Sequence, residues 1–308
     1  MAIVDAHFHL FCRTYFEAMA AGVPGLESTG EKLTRLERGG GVEIPDADLR
    51  THVARWLAEF DRHGVAKAIC FSSAPEEAAP VEEAVQIARG RLVPVALANP
   101  LAPDAPGRVR TLLTRHGFRG VLLFPALHRY AIGGPAARAV LAAVAEAGGF
   151  VYVQCGMLRV PLRDLLGYPR TADLAHANPL DLLPVADRFR STSFVVPHFG
   201  AGFFRETLML GAQCENVFVD TSSSNGWTAT DPAAPSLADV FRRTLGVFGP
   251  ERVLFGTDSG TFPRGWRADL LAAQTAALRE AGASPSATQK ILGGNAERLI
   301  GGSSAGRA

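Results

Sequence analysis

Two histidines separated by a single residue, His7 and His9, stand in a short apolar run near the start of the chain, Ile3-Val4-Asp5-Ala6-His7-Phe8-His9-Leu10. If that run is a β-strand, side chains alternate faces with period two and both imidazoles point the same way. Two neutral imidazoles converging on one point are what a protein offers a divalent metal such as zinc. A strand whose histidines are hydrogen-bonded core residues would show the same pattern, so the case turns on the other competent residues. Val195-Val196-Pro197-His198 brings a histidine to the end of a β-rich run, and Val253-Leu254-Phe255-Gly256-Thr257-Asp258 brings a carboxylate to the end of another. Singly, His198 could cap the following helix and Asp258 could be an N-cap. Four such residues at strand ends point instead to one site.

The elements that must position them follow a simple alternation. Strand-like runs fall at 3–8, 67–71, 93–96, 120–124, 150–154, 193–198, 217–220 and 253–256. Amphipathic helical patterns fall between them at 49–63, 78–89, 107–116, 136–147, 205–212 and 237–248. Strands alternating with helices imply an α/β fold with a parallel sheet, and eight of them imply a closed barrel. His7 and Asp258 lie 251 residues apart, about 36 for each of seven βα steps, which suits a single (β/α)8 TIM barrel. No glycine-rich dinucleotide fingerprint follows the first strand, which weighs against a doubly wound sheet. In a barrel the C-terminal strand ends share one face, so His7, His9, His198 and Asp258 are expected together there. Long loops after strand 1 (11–48) and strand 5 (156–190) should wall or cover that face. One domain is expected over 1–300, with 301–308 as a flexible tail.

Composition bounds the partners. With 31 basic and 30 acidic residues and a net charge of +1, no electrostatic case exists for nucleic acid or a membrane surface, which leaves a small-molecule substrate. The apolar stretches are broken well short of a membrane span. The first strand begins within three residues of Met1, without the pattern of a signal peptide, so a cytoplasmic protein is expected. Cys12, Cys70, Cys155 and Cys214 show no paired spacing and read as free thiols.

With these stretches in hand, the chain resembles the amidohydrolase superfamily, in the amidohydrolase-related (amidohydrolase 2) branch of metal-dependent hydrolases and nonoxidative decarboxylases. The matching segments are Asp5-Ala6-His7-Phe8-His9, Pro197-His198-Phe199-Gly200 and Leu254-Phe255-Gly256-Thr257-Asp258. The terminal run Ile291-Leu292-Gly293-Gly294-Asn295-Ala296-Glu297-Arg298-Leu299 is similar to the branch's C-terminal signature. The resemblance implies one divalent ion, zinc by expectation, held by His7, His9 and Asp258. It further implies that Asp258 doubles as the proton-transfer group, that His198 polarises substrate, and that the enzyme is a homodimer. Metal-activated water, a carboxylate to move its proton and an imidazole facing the oxyanion make a hydrolytic site for a lactone or amide.

One position departs from the pattern. The family's fifth strand ends in a histidine ligand, whereas Phe150-Val151-Tyr152-Val153-Gln154-Cys155-Gly156 places Gln154 there. A carboxamide is a weak neutral ligand, so Gln154 is expected to complete the metal shell or contact substrate. Cys155 should face away; His128 and His176, in the loops after strands 4 and 5, are alternatives for the missing imidazole. Arg159, with Arg163 and Arg170, could clamp a substrate carboxylate, and Tyr130, in a 125–130 segment similar to the family's, could line the pocket. His63 and His116 fall on the opposite face and His52 within a helix, as packing or surface residues. Three functions fit: hydrolysis of a small cyclic or acyl substrate, nonoxidative decarboxylation of an aromatic or unsaturated acid, or ligand binding by a weakened barrel.

Overall fold

The computed structural model describes residues 2–222 and 226–302; the expected tail lies, from residue 303 onward, outside the described residues. Eight parallel strands follow in sequence order: β1 (Ile3–His9), β2 (Val65–Phe71), β3 (Leu92–Ala98), β4 (Gly120–Leu123), β5 (Phe150–Val153), β6 (Phe194–Val196), β7 (Val217–Asp220) and β8 (Val253–Leu254). The β8–β1 seam is closed by the backbone, with Ala6 N donating to Phe255 O at 2.8 Å, Asp258 N to His7 O at 2.8 Å and His9 N to Ser259 O at 2.9 Å. The fold is a single (β/α)8 barrel, as the alternation of elements requires. Its strands are rich in valine, leucine and phenylalanine on both faces because helices cover the outside and side chains fill the inside.

β1 breaks the strict alternation at one step. Val4 and Ala6 pack in the barrel interior with Ile69, Phe71 and Tyr152. Phe8 packs outward instead, its ring 4.8 Å from Trp56 and 5.2 Å from Phe60. Pairing with β2 jumps from Asp5 opposite Ala68 to Phe8 opposite Cys70, three residues against two. The extra residue is a β-bulge, which re-aims the side chains beyond it. Without it, His7 and His9 would share the outward side of Asp5; with it, both point into the barrel.

β6 and β8 stop two and four residues short of His198 and Asp258. Both residues adopt left-handed backbone, φ 57° and 55°, which ends the strand and is rare for a side chain with a Cβ.

The C-terminal signature closes the other end of the barrel. Ala296 and Leu299 join the interior cluster from the last helix, Asn295–Gly301. Gly293 is required because a Cβ there would lie 2.4 Å from the Ala2 carbonyl. Asn295, fully buried, donates to the carbonyls of Pro250 at 2.7 Å and Val253 at 2.8 Å, and Phe255 N donates to Ile291 O at 3.0 Å.

The two long loops carry short helices that fold onto each other. Arg13–Ala21 and Thr29–Gly40 from the first loop pack with Pro161–Leu166 from the fifth around Phe16, Leu33, Leu36 and Leu166. Tyr168 donates its hydroxyl to Met19 O at 2.7 Å. The loops therefore form one lid with its own small core.

Replacing Asn295 with alanine strips donors from two carbonyls beneath β8. We expect Asn295→Ala to lower the unfolding free energy by about 2–3 kcal/mol, read from urea titration; an unchanged midpoint would remove this residue from the account of closure.

Candidate active site

Three imidazoles and a carboxylate meet inside the C-terminal mouth of the barrel. His9 Nε2 lies 3.2 Å and His7 Nε2 3.7 Å from Asp258 Oδ1. The His7 ring is 5.3 Å from that of His9 and 4.7 Å from that of His198. Ligand atoms of His7, His198 and Asp258 all lie within 4.8 Å of one another.

Each imidazole is anchored through its far nitrogen. His7 Nδ1–H donates to Asp220 Oδ2 at 2.7 Å. His198 Nδ1–H donates to the Ser222 carbonyl at 2.9 Å, and His9 Nδ1 bonds Ser73 Oγ at 2.7 Å. In the neutral forms of His7 and His198 an acceptor on Nδ1 sets the tautomer and leaves Nε2 with the lone pair. Asp220 ends β7 and is fully buried; its Oδ1 also accepts from Ser222 N at 2.8 Å and His198 N at 3.2 Å, and from the Ser222 hydroxyl. Glu77, equally buried, accepts from Ser73 N at 2.7 Å and Cys12 N at 2.8 Å, tying the loop that carries Ser73 to the end of β1. Asp5 accepts from His7 N and Thr257 N, both at 3.0 Å, and from Trp266 Nε1 at 2.8 Å, which binds the first strand to the Asp258 segment.

The electrostatics follow from burial. Desolvation pushes Asp5 up to about 6 and Glu77 up to about 7, only partly offset by their hydrogen bonds. Burial also disfavours charge on His7, but the Asp220 carboxylate overrides it and raises the imidazolium pKa. Burial opposes the ionised form of Asp258 as well, yet the bond from His9 and the nearby His7 hold it well below the usual carboxylate range. His9 and His198 go the other way, lowered chiefly by desolvation.

The remaining sequence candidates scatter. Gln154 is buried just past the end of β5, and its amide donates to the Cys155 carbonyl at 3.1 Å. Among the histidines, His9, His128 and His176 lie outside the His7–His198–Asp258 group. Tyr130 packs in the cluster that holds Cys155, Leu182 and Val185, and its buried hydroxyl has no partner among the described residues. Arg159 lies at the surface. Its side chain is 70% exposed and pairs with Asp164 at 3.1 Å, as Arg170 does at 2.9 Å, because that carboxylate stands only a few residues away in the same loop. His52 donates to Leu10 O at 2.8 Å, His63 stacks on Trp266 and His116 meets Glu82, all packing or surface roles. All four cysteines are free and buried. Asp220, Ser222 and Ser73 were not among the sequence candidates. Asp220 carried a usable signal, since a carboxylate ended the seventh strand run just as Asp258 followed the eighth.

The family model for amidohydrolases (Amidohydro_2) matches residues 4–302. The chain belongs to the amidohydrolase family. Similar solved structures include 5-carboxyvanillate decarboxylase from Sphingomonas paucimobilis, 15% identical over 98% of this chain and 99% of that one, TM-score 0.67. A probable 2-pyrone-4,6-dicarboxylic acid hydrolase from Acinetobacter baumannii is also 15% identical, over 98% and 100%, TM-score 0.61. The 5-carboxyvanillate decarboxylase of Novosphingobium aromaticivorans, complexed with manganese, is 14% identical over 97% and 96%, TM-score 0.63. No curated protein sequence matches the chain. At these identities the likeness speaks for the fold.

For an amidohydrolase the donor set fits a divalent cation. His7 and His198 have Nδ1 tied to an acceptor, and the Nε2 atoms of His7 and His9 flank one carboxylate oxygen. Asp220→Asn keeps the size of the His7 anchor and removes its charge. We expect zinc and manganese affinity, measured by chelator competition, to fall about 10- to 100-fold. Affinity equal to that of the parent protein would mean that Asp220 serves packing alone.

Proposed function

We propose that the protein is a metal-dependent hydrolase of a small cyclic or acyl substrate, a lactone or an amide. The observation that carries this reading is the Asp258 carboxylate, faced by His9 Nε2 at 3.2 Å and His7 Nε2 at 3.7 Å. A bound divalent ion would supply Lewis-acid polarisation of the carbonyl and ready ionisation of water at neutral pH. Asp258 accepts the proton of the attacking water and returns it to the leaving oxygen or nitrogen as the acyl bond breaks. His7, His9 and Asp258 would hold the ion. His198 is proposed to join them rather than to polarise substrate. Its Nδ1–H is committed to the Ser222 carbonyl, and its ring lies in the group within 4.8 Å of His7 and Asp258. It would thereby supply the imidazole that Gln154 does not, leaving the carboxamide to contact substrate.

Nonoxidative decarboxylation is the second reading, favoured by the decarboxylase neighbours, one of them at TM-score 0.67. There the same proton-transfer groups would protonate the carbon that loses carbon dioxide.

Two measurements separate these ideas. Turnover of a panel of small lactones, N-acyl amides and aromatic acids in ¹⁸O-water should place one label in the new carboxyl group, and Asp258→Asn should cost about 10²–10⁴-fold in kcat. Carbon dioxide release with an unlabelled organic product would replace the hydrolase by the decarboxylase. Metal content by elemental analysis should fall in His198→Ala as far as in His7→Ala and stay unchanged in Gln154→Ala. Full occupancy in His198→Ala would return that residue to a substrate-facing role.

A further inference from the structure

The irregularity that turns His7 and His9 into the barrel is one extra residue in β1, between Asp5 and Phe8. A bulge takes its backbone out of the regular ladder, so the polar groups inside it need other partners. The peptide unit that joins Ala6 to His7 lies within this bulge, and side chains bond it at both ends. His7 N donates to Asp5 Oδ1 at 3.0 Å, and the same oxygen accepts from Thr257 N at 3.0 Å across the barrel seam. The Ala6 carbonyl accepts from the Tyr152 hydroxyl at 2.6 Å.

Tyr152 reaches that carbonyl from β5, which stands opposite β1 in a barrel whose eight strands follow sequence order. It is fully buried in the interior cluster with Val4, Ala6, Ile69 and Phe71. Its ring stands edge-on to that of His7, with centroids 6.1 Å apart and planes at 89°. The Phe71 ring lies beside both, 4.9 Å from Tyr152 and 4.7 Å from His7. Packing alone needs only the ring, which phenylalanine would supply. Among the described residues the one bond of the hydroxyl goes to the carbonyl that precedes His7. Burial pushes the phenol pKa well above its usual value, so the group stays a donor. A planar peptide turns as one body about its two flanking torsions, and this one carries the His7 Cα at its end. With the carbonyl held by Tyr152 and the N–H by Asp5, it cannot turn without breaking a buried bond.

We propose that Tyr152 is a positioning residue for His7, acting on the backbone through the Ala6 carbonyl. β5 then serves the site two residues before Gln154, by a hydroxyl in place of an imidazole. For catalysis the inference rests on the reading that His7 holds a divalent ion, so the test reads His7 with and without metal.

Tyr152→Phe keeps the ring and removes only the bond. In the metal-free protein, long-range ¹H–¹⁵N NMR spectra report the tautomer and bonding of each imidazole, and His7→Gln assigns the His7 signals by their loss. We expect Tyr152→Phe to shift these signals while those of His116, paired with Glu82 away from the site, stay in place. Zinc affinity by chelator competition should fall about tenfold, and the visible spectrum of the cobalt-loaded protein should change. Asn295→Ala, which removes two buried bonds at the other end of the barrel, controls for stability alone and should match the parent in all three readouts. Unmoved His7 signals, an unchanged zinc affinity, or the same changes in Asn295→Ala would each overturn the assignment. If the His7 signals move as expected but the parent protein binds neither zinc nor cobalt, Tyr152 keeps its role and the metal-dependent reading falls.

Discussion

The buried Asp220 carboxylate is the group on which the mouth of this barrel depends. Three imidazoles and the Asp258 carboxylate crowd into the barrel mouth, where each ionised group carries a desolvation penalty. Asp220, at the end of β7, orients His7 by a 2.7 Å bond, receives the His198 and Ser222 amides and, through Ser222, reaches the His198 ring. Removing one member of a buried ion pair leaves its partner uncompensated, a loss of about 3–5 kcal/mol. The network is therefore all or nothing, and it rather than local propensity explains how side chains from β1, β6 and β8 share one point.

Backbone geometry supports the same conclusion. His198 and Asp258 both hold left-handed conformations, each at a cost of about 1–3 kcal/mol. The bonds that hold them there are part of the site: His198 N donates to Asp220, and Asp258 N donates to the His7 carbonyl across the barrel seam. β1 contributes a third irregularity, the bulge between Asp5 and Phe8. Regular strands would have sent these side chains elsewhere. These three irregularities cluster where the chemistry is.

This pattern explains what could and could not be read from the residues alone. Hydrophobic periodicity is a local signal that survives burial, so eight strands, their order and the 49–63 and 237–248 helices were legible to within a residue or two. That His7, His9, His198 and Asp258 share one end of the barrel was legible because closure carries strand ends to one face. The bulge was not, since it depends on which β2 residue faces which β1 residue. Arg159 is a different case: it pairs with Asp164, a carboxylate in the same loop. Asp220 was overlooked because its role is to position another residue, and spacing motifs describe ligands rather than the groups behind them.

Gln154 shows how such a site can absorb a substitution. An imidazole ligand needs two things, a lone pair aimed inward and an acceptor behind it. β5 offers no imidazole here, and the Gln154 amide nitrogen donates to the neighbouring Cys155 carbonyl. β6 provides both, since the strained turn at His198 sets Nδ1 against the Ser222 carbonyl and leaves Nε2 facing His7 and Asp258. A barrel whose strand ends all face one mouth has several positions from which a ligand can reach the same point.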